Sequence, residues 1–138
     1  MSRFKILDHT ADLGISATGD DFAEALSWAA IAMFSIITNL DSVAALDSSD
    51  LTVKSDSPEA LVVDWLNELL YRFEAEGFLP KEFSVSVDEN GVELRAQCVG
   101  ESVDQDRHRI WPGVKAATYH GLEVSHNGEW QIKVVLDI

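Results

Sequence analysis

Cysteine is almost absent from this chain. Cys98 is the only one in 138 residues, so no disulfide can form within it, and a reducing, cytoplasmic setting is expected. Basic residues are also scarce: 10 Lys and Arg stand against 24 Asp and Glu, giving a formal charge of −14. Phosphate contacts need Lys and Arg, so direct nonspecific binding to RNA or DNA is not expected. A partner with a basic surface, or a metal cation, suits the charge better, although solubility alone accounts for it about as well. No run of ~18 apolar residues is available to cross a membrane. The opening Met1-Ser-Arg-Phe-Lys-Ile lacks a signal-peptide core. No repeat, low-complexity tract or linker divides the chain, so a single domain over residues 1–138 is expected.

Several catalytic patterns are missing too. No helix carries two histidines four apart with a Glu, which excludes the zinc-protease pattern. No Cys or His cluster offers tetrahedral zinc ligation. Gly14 and Gly19 do not have the spacing of a phosphate-binding loop, and no serine sits in a sharp nucleophile turn. A self-sufficient hydrolase is not expected.

What is present reads as alternating strands and two amphipathic helices. Phe4–Asp8 and Leu13–Ala17 have strand character. Asp21 with Glu24 resembles a capping box, followed at helical spacing by Phe22, Leu26, Ala29, Ala30, Met33 and Ile37. The Ser- and Asp-rich stretch from Asn39 to Asp50 reads as loop, and Leu51–Ser55 as a short strand. A second helix starts at the Ser57 cap and Pro58 and ends at Gly77, with Val62, Trp65, Leu66, Leu69 and Phe73 as its buried stripe. Two hairpins complete the chain. One turns tightly at Asn90-Gly91; the other pairs Val114–Val124 with Trp130–Ile138 and turns at Asn127-Gly128. Gly100 to Pro112 reads as the charged loop between them. The pattern predicts a two-layer α+β sandwich of about seven mostly antiparallel strands in a mixed sheet, with two main helices.

The chemistry concentrates at the two ends. Strand one runs into Asp8-His9-Thr-Ala-Asp12, and the last strand runs into Asp137-Ile138. If these strands lie side by side, up to four anionic groups, the terminal carboxylate included, converge and repel unless a cation or hydrogen-bond donors sit between them. Carboxylate-rich ligation suits Ca²⁺, Mg²⁺ or Mn²⁺. By spacing alone, a turn in which Asp side chains cap backbone amides explains Asp8, His9 and Asp12 slightly better. Lys115, Thr118, Tyr119 and His120 form a second polar cluster, suited to a phosphate or to ordering the carboxylates. A half-exposed strand explains them equally well. Glu101 and Asp104 are weaker additions from the loop. Cys98 alternates with Leu94 and Ala96 and reads as a buried small side chain.

Asp8-His-Thr-Ala-Asp12, Leu61-Val-Val-Asp-Trp-Leu-Asn-Glu-Leu-Leu-Tyr71, Gly100-Glu101, Val114-Lys-Ala-Ala-Thr-Tyr-His120 and Val135-Leu-Asp-Ile138, in this order and spacing, resemble the archease family over nearly the whole length. Ser42–Asp50 and Gln105–Pro112 are the variable parts, which leaves the roles of Asp104, Asp106 and His108 open. The resemblance implies an accessory protein, not an enzyme. Its partner would be the GTP-dependent tRNA-splicing ligase, which joins 2′,3′-cyclic or 3′-phosphate RNA ends to a 5′-hydroxyl and carries guanylate on an active-site histidine. The accessory protein would promote guanylylation and multiple turnover, with a divalent metal at its acidic ends, Ca²⁺ first and Mg²⁺ or Mn²⁺ as alternatives. Carried onto this sequence, Asp12 and Asp137 are the implied ligands, with Ile138 (carbonyl or carboxylate) and Asp8 secondary. His9, Glu101, Lys115, Thr118 and His120 would orient ligands or touch the ligase. Two rival classes stand beside this reading: a stand-alone metal-dependent phosphoesterase, and a metal-independent, chaperone-like binding module.

Overall fold

The computed structural model describes residues 2–8, 12–111 and 113–138, with only the main chain of Asp8. Its strands are β1 (Phe4–Asp8), β2 (Asp12–Gly19), β3 (Asp47–Lys54), β4 (Phe78–Val87), β5 (Glu93–Ser102), β6 (Ala116–Asn127) and β7 (Glu129–Asp137). The helices are α1 (Phe22–Ile37) and α2 (Pro58–Glu76), with a short 3₁₀ turn at Leu40–Ser42. The α+β class and the seven strands agree with the sequence pattern. The mixed sheet does not: there are two sheets, ordered β1-β2-β7-β6 and β3-β5-β4, and every pairing among the described strands is antiparallel. Sequence neighbours β1–β2, β4–β5 and β6–β7 join as hairpins, which needs no parallel crossover.

Both helices form where their caps and apolar stripes meet. Asp21 Oδ1 accepts the Glu24 N–H at 2.7 Å, while Glu24 reaches back one residue further than a standard box, to the Asp20 N–H at 2.6 Å. Ser57 Oγ accepts the Ala60 N–H, Pro58 opens α2, and Gly77 closes it. The apolar faces of α1, α2 and both sheets close on one core that includes Leu26, Met33, Phe34, Trp65, Leu66, Leu94, Ile132 and Leu136. Trp65 is fully buried, and its indole N–H donates to Leu26 O at 2.9 Å, tying the helices together.

Three local expectations fail, the first two to a tertiary cause and the third to bonds within the turn itself. Asp47-Ser-Ser-Asp50 is the first half of β3 rather than loop, because Gly100 to Gln97 of β5 supply its ladder partners. Strand pairing overrides the poor β-propensity of Ser and Asp here. Gly100 and Glu101 belong to β5 rather than to a loop. Gly100 is required there: a Cβ would sit 2.0 Å from the Leu79 carbonyl oxygen, beside the irregularity at Pro80–Glu82. The Asn90-Gly91 turn is wider than a two-residue hairpin. Only Gly91 has positive φ (+70°), and Asp88 Oδ1 holds the turn by accepting from the Val92 and Glu93 N–H groups. Pro112 lies outside the described residues.

Candidate functional site

Alternation along β2 and β7 decides which way the acidic ends face. Ile132, Val134 and Leu136 are buried, and Ile15 and Ala17 lie opposite Val134 and Ile132. Directly opposed residues share a face, so Asp12 and Asp137, which are register partners, stand together on the outer face. Strand one is not itself beside the last strand. β2 lies between them, with Asp8 in register with Leu13. The expected fourfold convergence therefore reduces, among the described residues, to the Asp12–Asp137 pair and the adjoining main chain of exposed Ile138. The side chain of Asp8 and all of His9 lie outside the described residues.

Directly opposed residues on one face have Cβ atoms roughly 4.5–5.5 Å apart, and like charges there are mutually destabilising. Among the described residues no Lys, Arg or His pairs with either carboxylate. Nor do the described residues gather three or more His, Cys, Asp or Glu at ligating spacing. The donor set is thus two carboxylates plus main-chain oxygen. That fits a hard cation completing its shell with main-chain carbonyls and water, as Ca²⁺ and Mg²⁺ do. It does not fit tetrahedral zinc.

β6 flanks Asp137 on its other side. Ala116 is its register partner, and the Lys115 N–H donates to Asp137 O at 2.8 Å. The side chain of Lys115 is exposed. Thr118 Oγ1 donates to Val135 O at 2.9 Å, so its hydroxyl serves the β6–β7 contact. After Thr118 the ladder breaks until Glu123 pairs with Lys133. This excursion places His120 and Gly121 over an outer-face cleft of about 300 Å³ with Asp12, Gly14, Leu7 and Lys133. Asp12 and His120 therefore share a cleft wall, which the sequence cluster did not reveal, since the irregularity has no spacing signature.

Glu101 belongs to a different cluster. It is 4 % exposed, and Ala44 N–H donates to Oε2 at 2.5 Å. Arg107 Nη1 donates to the same oxygen at 2.8 Å, and Nη2 donates to Oε1. His108, also buried, accepts the Asp104 N–H at Nδ1 (2.9 Å), which leaves its proton on Nε2 to donate to Glu101 at 3.0 Å. Arg107 first, then the Ala44 N–H and His108, outweigh burial and hold the Glu101 carboxyl at about 2. Both nitrogens of His108 are engaged, so this group locks the 103–108 loop onto residue 44. Sequence reading set Glu101 beside the acidic ends and left His108 open; Arg107 was missed. No spacing rule announces the trio, because its members meet only when the loop folds back. Cys98 is buried, as expected, and burial pushes its thiol up to about 11. None of the described helices is long and apolar enough to cross a membrane.

Comparison with known proteins extends along the whole chain. The profile of the Archease protein family (MTH1598/TM1083) matches residues 4–138. A protein named archease from Pyrococcus abyssi is 34% identical, covering 100% of both chains. One from Methanosarcina barkeri is 36% identical, covering 99% of this chain and 96% of the relative. The solution structure of Methanobacterium thermoautotrophicum protein 1598 superposes with a TM-score of 0.87 at 33% identity, covering 100% of both chains.

Proposed function

The chain belongs to the archease family, and from that premise we propose that it is an accessory activator of a GTP-dependent tRNA-splicing RNA ligase, not itself an enzyme. It acts through a divalent cation, Ca²⁺ first, held at the Asp12–Asp137 corner. The observation that carries this reading is the direct register of Asp12 with Asp137 on an outward face with no cationic partner among the described residues. Two carboxylates kept opposite each other without compensation cost stability, and a hard cation offsets that cost.

Asp12 and Asp137 hold the ion, and the main chain of Ile138 supplies further oxygen; Asp8, opposite Leu13 on the other face, is not part of the set. Bound there, the ion would supply concentrated positive charge for a phosphate oxygen at the ligase active site. Lys115, exposed beside Asp137, faces the partner, and His120 closes the cleft next to Asp12. The net charge of −14 favours encounter with a basic RNA-binding enzyme and disfavours competition for the RNA itself. The assisted step is ligase guanylylation, which returns the spent enzyme for another turnover. The setting is the cytoplasm.

The test is RNA ligation by the cognate ligase under single and multiple turnover, with wild type and Asp137→Ala at matched concentration. Wild type should stimulate chiefly under multiple turnover, and Asp137→Ala should fold normally and not stimulate. Equal stimulation by the variant removes Asp137 from the mechanism. Turnover of nucleotide or RNA by the protein without ligase would transfer the reading to a phosphoesterase, and metal-independent stimulation would transfer it to a chaperone-like module.

A further inference from the structure

We propose that Asn67 is a positioning residue for the acidic corner, clamping the outer edge of β6 at Ala117 and thereby fixing the strand beside Asp137. This inference rests on the ion-binding reading above. β6 is an edge strand of its sheet, and the part of it that reaches Asp137 is short. Ala116, Ala117 and Thr118 pair with Asp137, Leu136 and Val135, and the ladder is then interrupted until Glu123. On the other side the chain enters from a loop, so among the described residues three rungs, the Lys115 N–H bond to Asp137 O and the Thr118 Oγ1 bond to Val135 O tie this stretch to β7.

Along an antiparallel edge strand, alternate residues direct both their N–H and C=O away from the partner strand. Ala117 is such a residue, and both groups go to a single side chain of α2. Asn67 Nδ2 donates to Ala117 O at 3.1 Å, and the Ala117 N–H donates to Asn67 Oδ1 at 2.8 Å. For one residue the amide does what a further strand would do. Only an amide offers a donor and an acceptor side by side in this way; a carboxylate can only accept. Asn is a weaker helix former than the Leu and Glu around it, so helix formation does not account for its presence in α2. With Ala117 held on both edges and its methyl buried, Lys115 and Ala116 are held against Asp137. Removing the clamp frees the short stretch to fray and lets the carboxylate corner drift.

Partners that orient metal ligands from outside the ligand set typically contribute 10–100-fold in affinity. Asn67 acts through one intervening strand, so a loss of about tenfold is expected. The experiment measures Ca²⁺ affinity by calorimetry, and amide hydrogen exchange along β6, on the full chain. Asn67→Ala should raise exchange at Lys115 and Ala117 and raise the Ca²⁺ Kd about tenfold. Asn67→Asp, which retains an acceptor for the Ala117 N–H, should protect that amide better and weaken Ca²⁺ less; it also serves if the alanine variant does not fold. Arg72→Ala loosens α2 elsewhere, by releasing Glu68 and Ser49, and should leave the Ca²⁺ Kd at the wild-type value. An Asn67→Ala protein with wild-type Kd, while Asp137→Ala abolishes binding, overturns the proposal. If Asp137→Ala binds Ca²⁺ as wild type does, the ion reading fails by itself, and the clamp stands or falls on the exchange data alone.

Discussion

The two carboxylate clusters of this protein solve opposite problems. At Glu101 one buried acid is surrounded by donors: two arms of Arg107, the His108 Nε2–H and the Ala44 N–H. At the acidic corner two outward-facing acids, Asp12 and Asp137, oppose each other with no cationic partner among the described residues. The first arrangement is complete within the chain and serves the fold. The second is without a cationic partner among the described residues, and on the function proposed above an ion from outside completes it. Acidic residues that look alike in a sequence thus differ by whether the fold satisfies them.

That contrast can be broken most forcefully at Glu101. Glu101→Ala strands a buried histidine and an arginine without their acceptor. It should lower the thermal midpoint more than alanine at any other carboxylate, including Asp12 and Asp137. A midpoint equal to wild type would show that the cluster does not hold the fold. Acid should sharpen the same point. The folded-state carboxyl lies at about 2, below its ordinary 4.5. Its contribution is therefore fully present above roughly pH 4.5 and fades as pH falls through the folded value. The gap in midpoint between wild type and Glu101→Gln should narrow across that window and be flat above it.

At the other cluster the effect should come from outside. Ca²⁺ at 100 times its Kd should stabilise wild type by about 2.7 kcal/mol and leave Asp137→Ala unmoved, as read by thermal melts with and without the ion. An equal shift in both proteins would place the ion elsewhere. The smallest effect has the opposite sign to most substitutions. In ion-free buffer Asp12→Asn relieves like-charge opposition and should stabilise by a few tenths to about 1 kcal/mol. A clear loss would mean that Asp12 already has a partner.

Much of the architecture was legible from local chemistry. The Asp21 and Ser57 caps, the Gly77 terminus and the apolar stripes of both helices follow from periods and capping residues a few positions apart, and each stands where expected. The alternation of Ile132, Val134 and Leu136, all buried, is likewise a local pattern, and it sets Asp137 on the outer face. The strand and the acid that were misread are those whose partners no local period or spacing announces. Asp47–Asp50 is strand only because β5 pairs with it, and Glu101 is a structural acid only because Arg107 and His108 fold back onto it.

By itself the sequence determined the elements, the acidic balance and the identity of the acids at its two ends, because propensity, period and charge are properties of neighbouring residues. Tertiary structure alone decided that β2 rather than β1 lies against β7, that Asp12 meets Asp137 in register, and that Asn67 of α2 reaches the edge of β6. Those facts depend on which strands and helices pack together, a choice made by burying one shared core rather than by any local pattern.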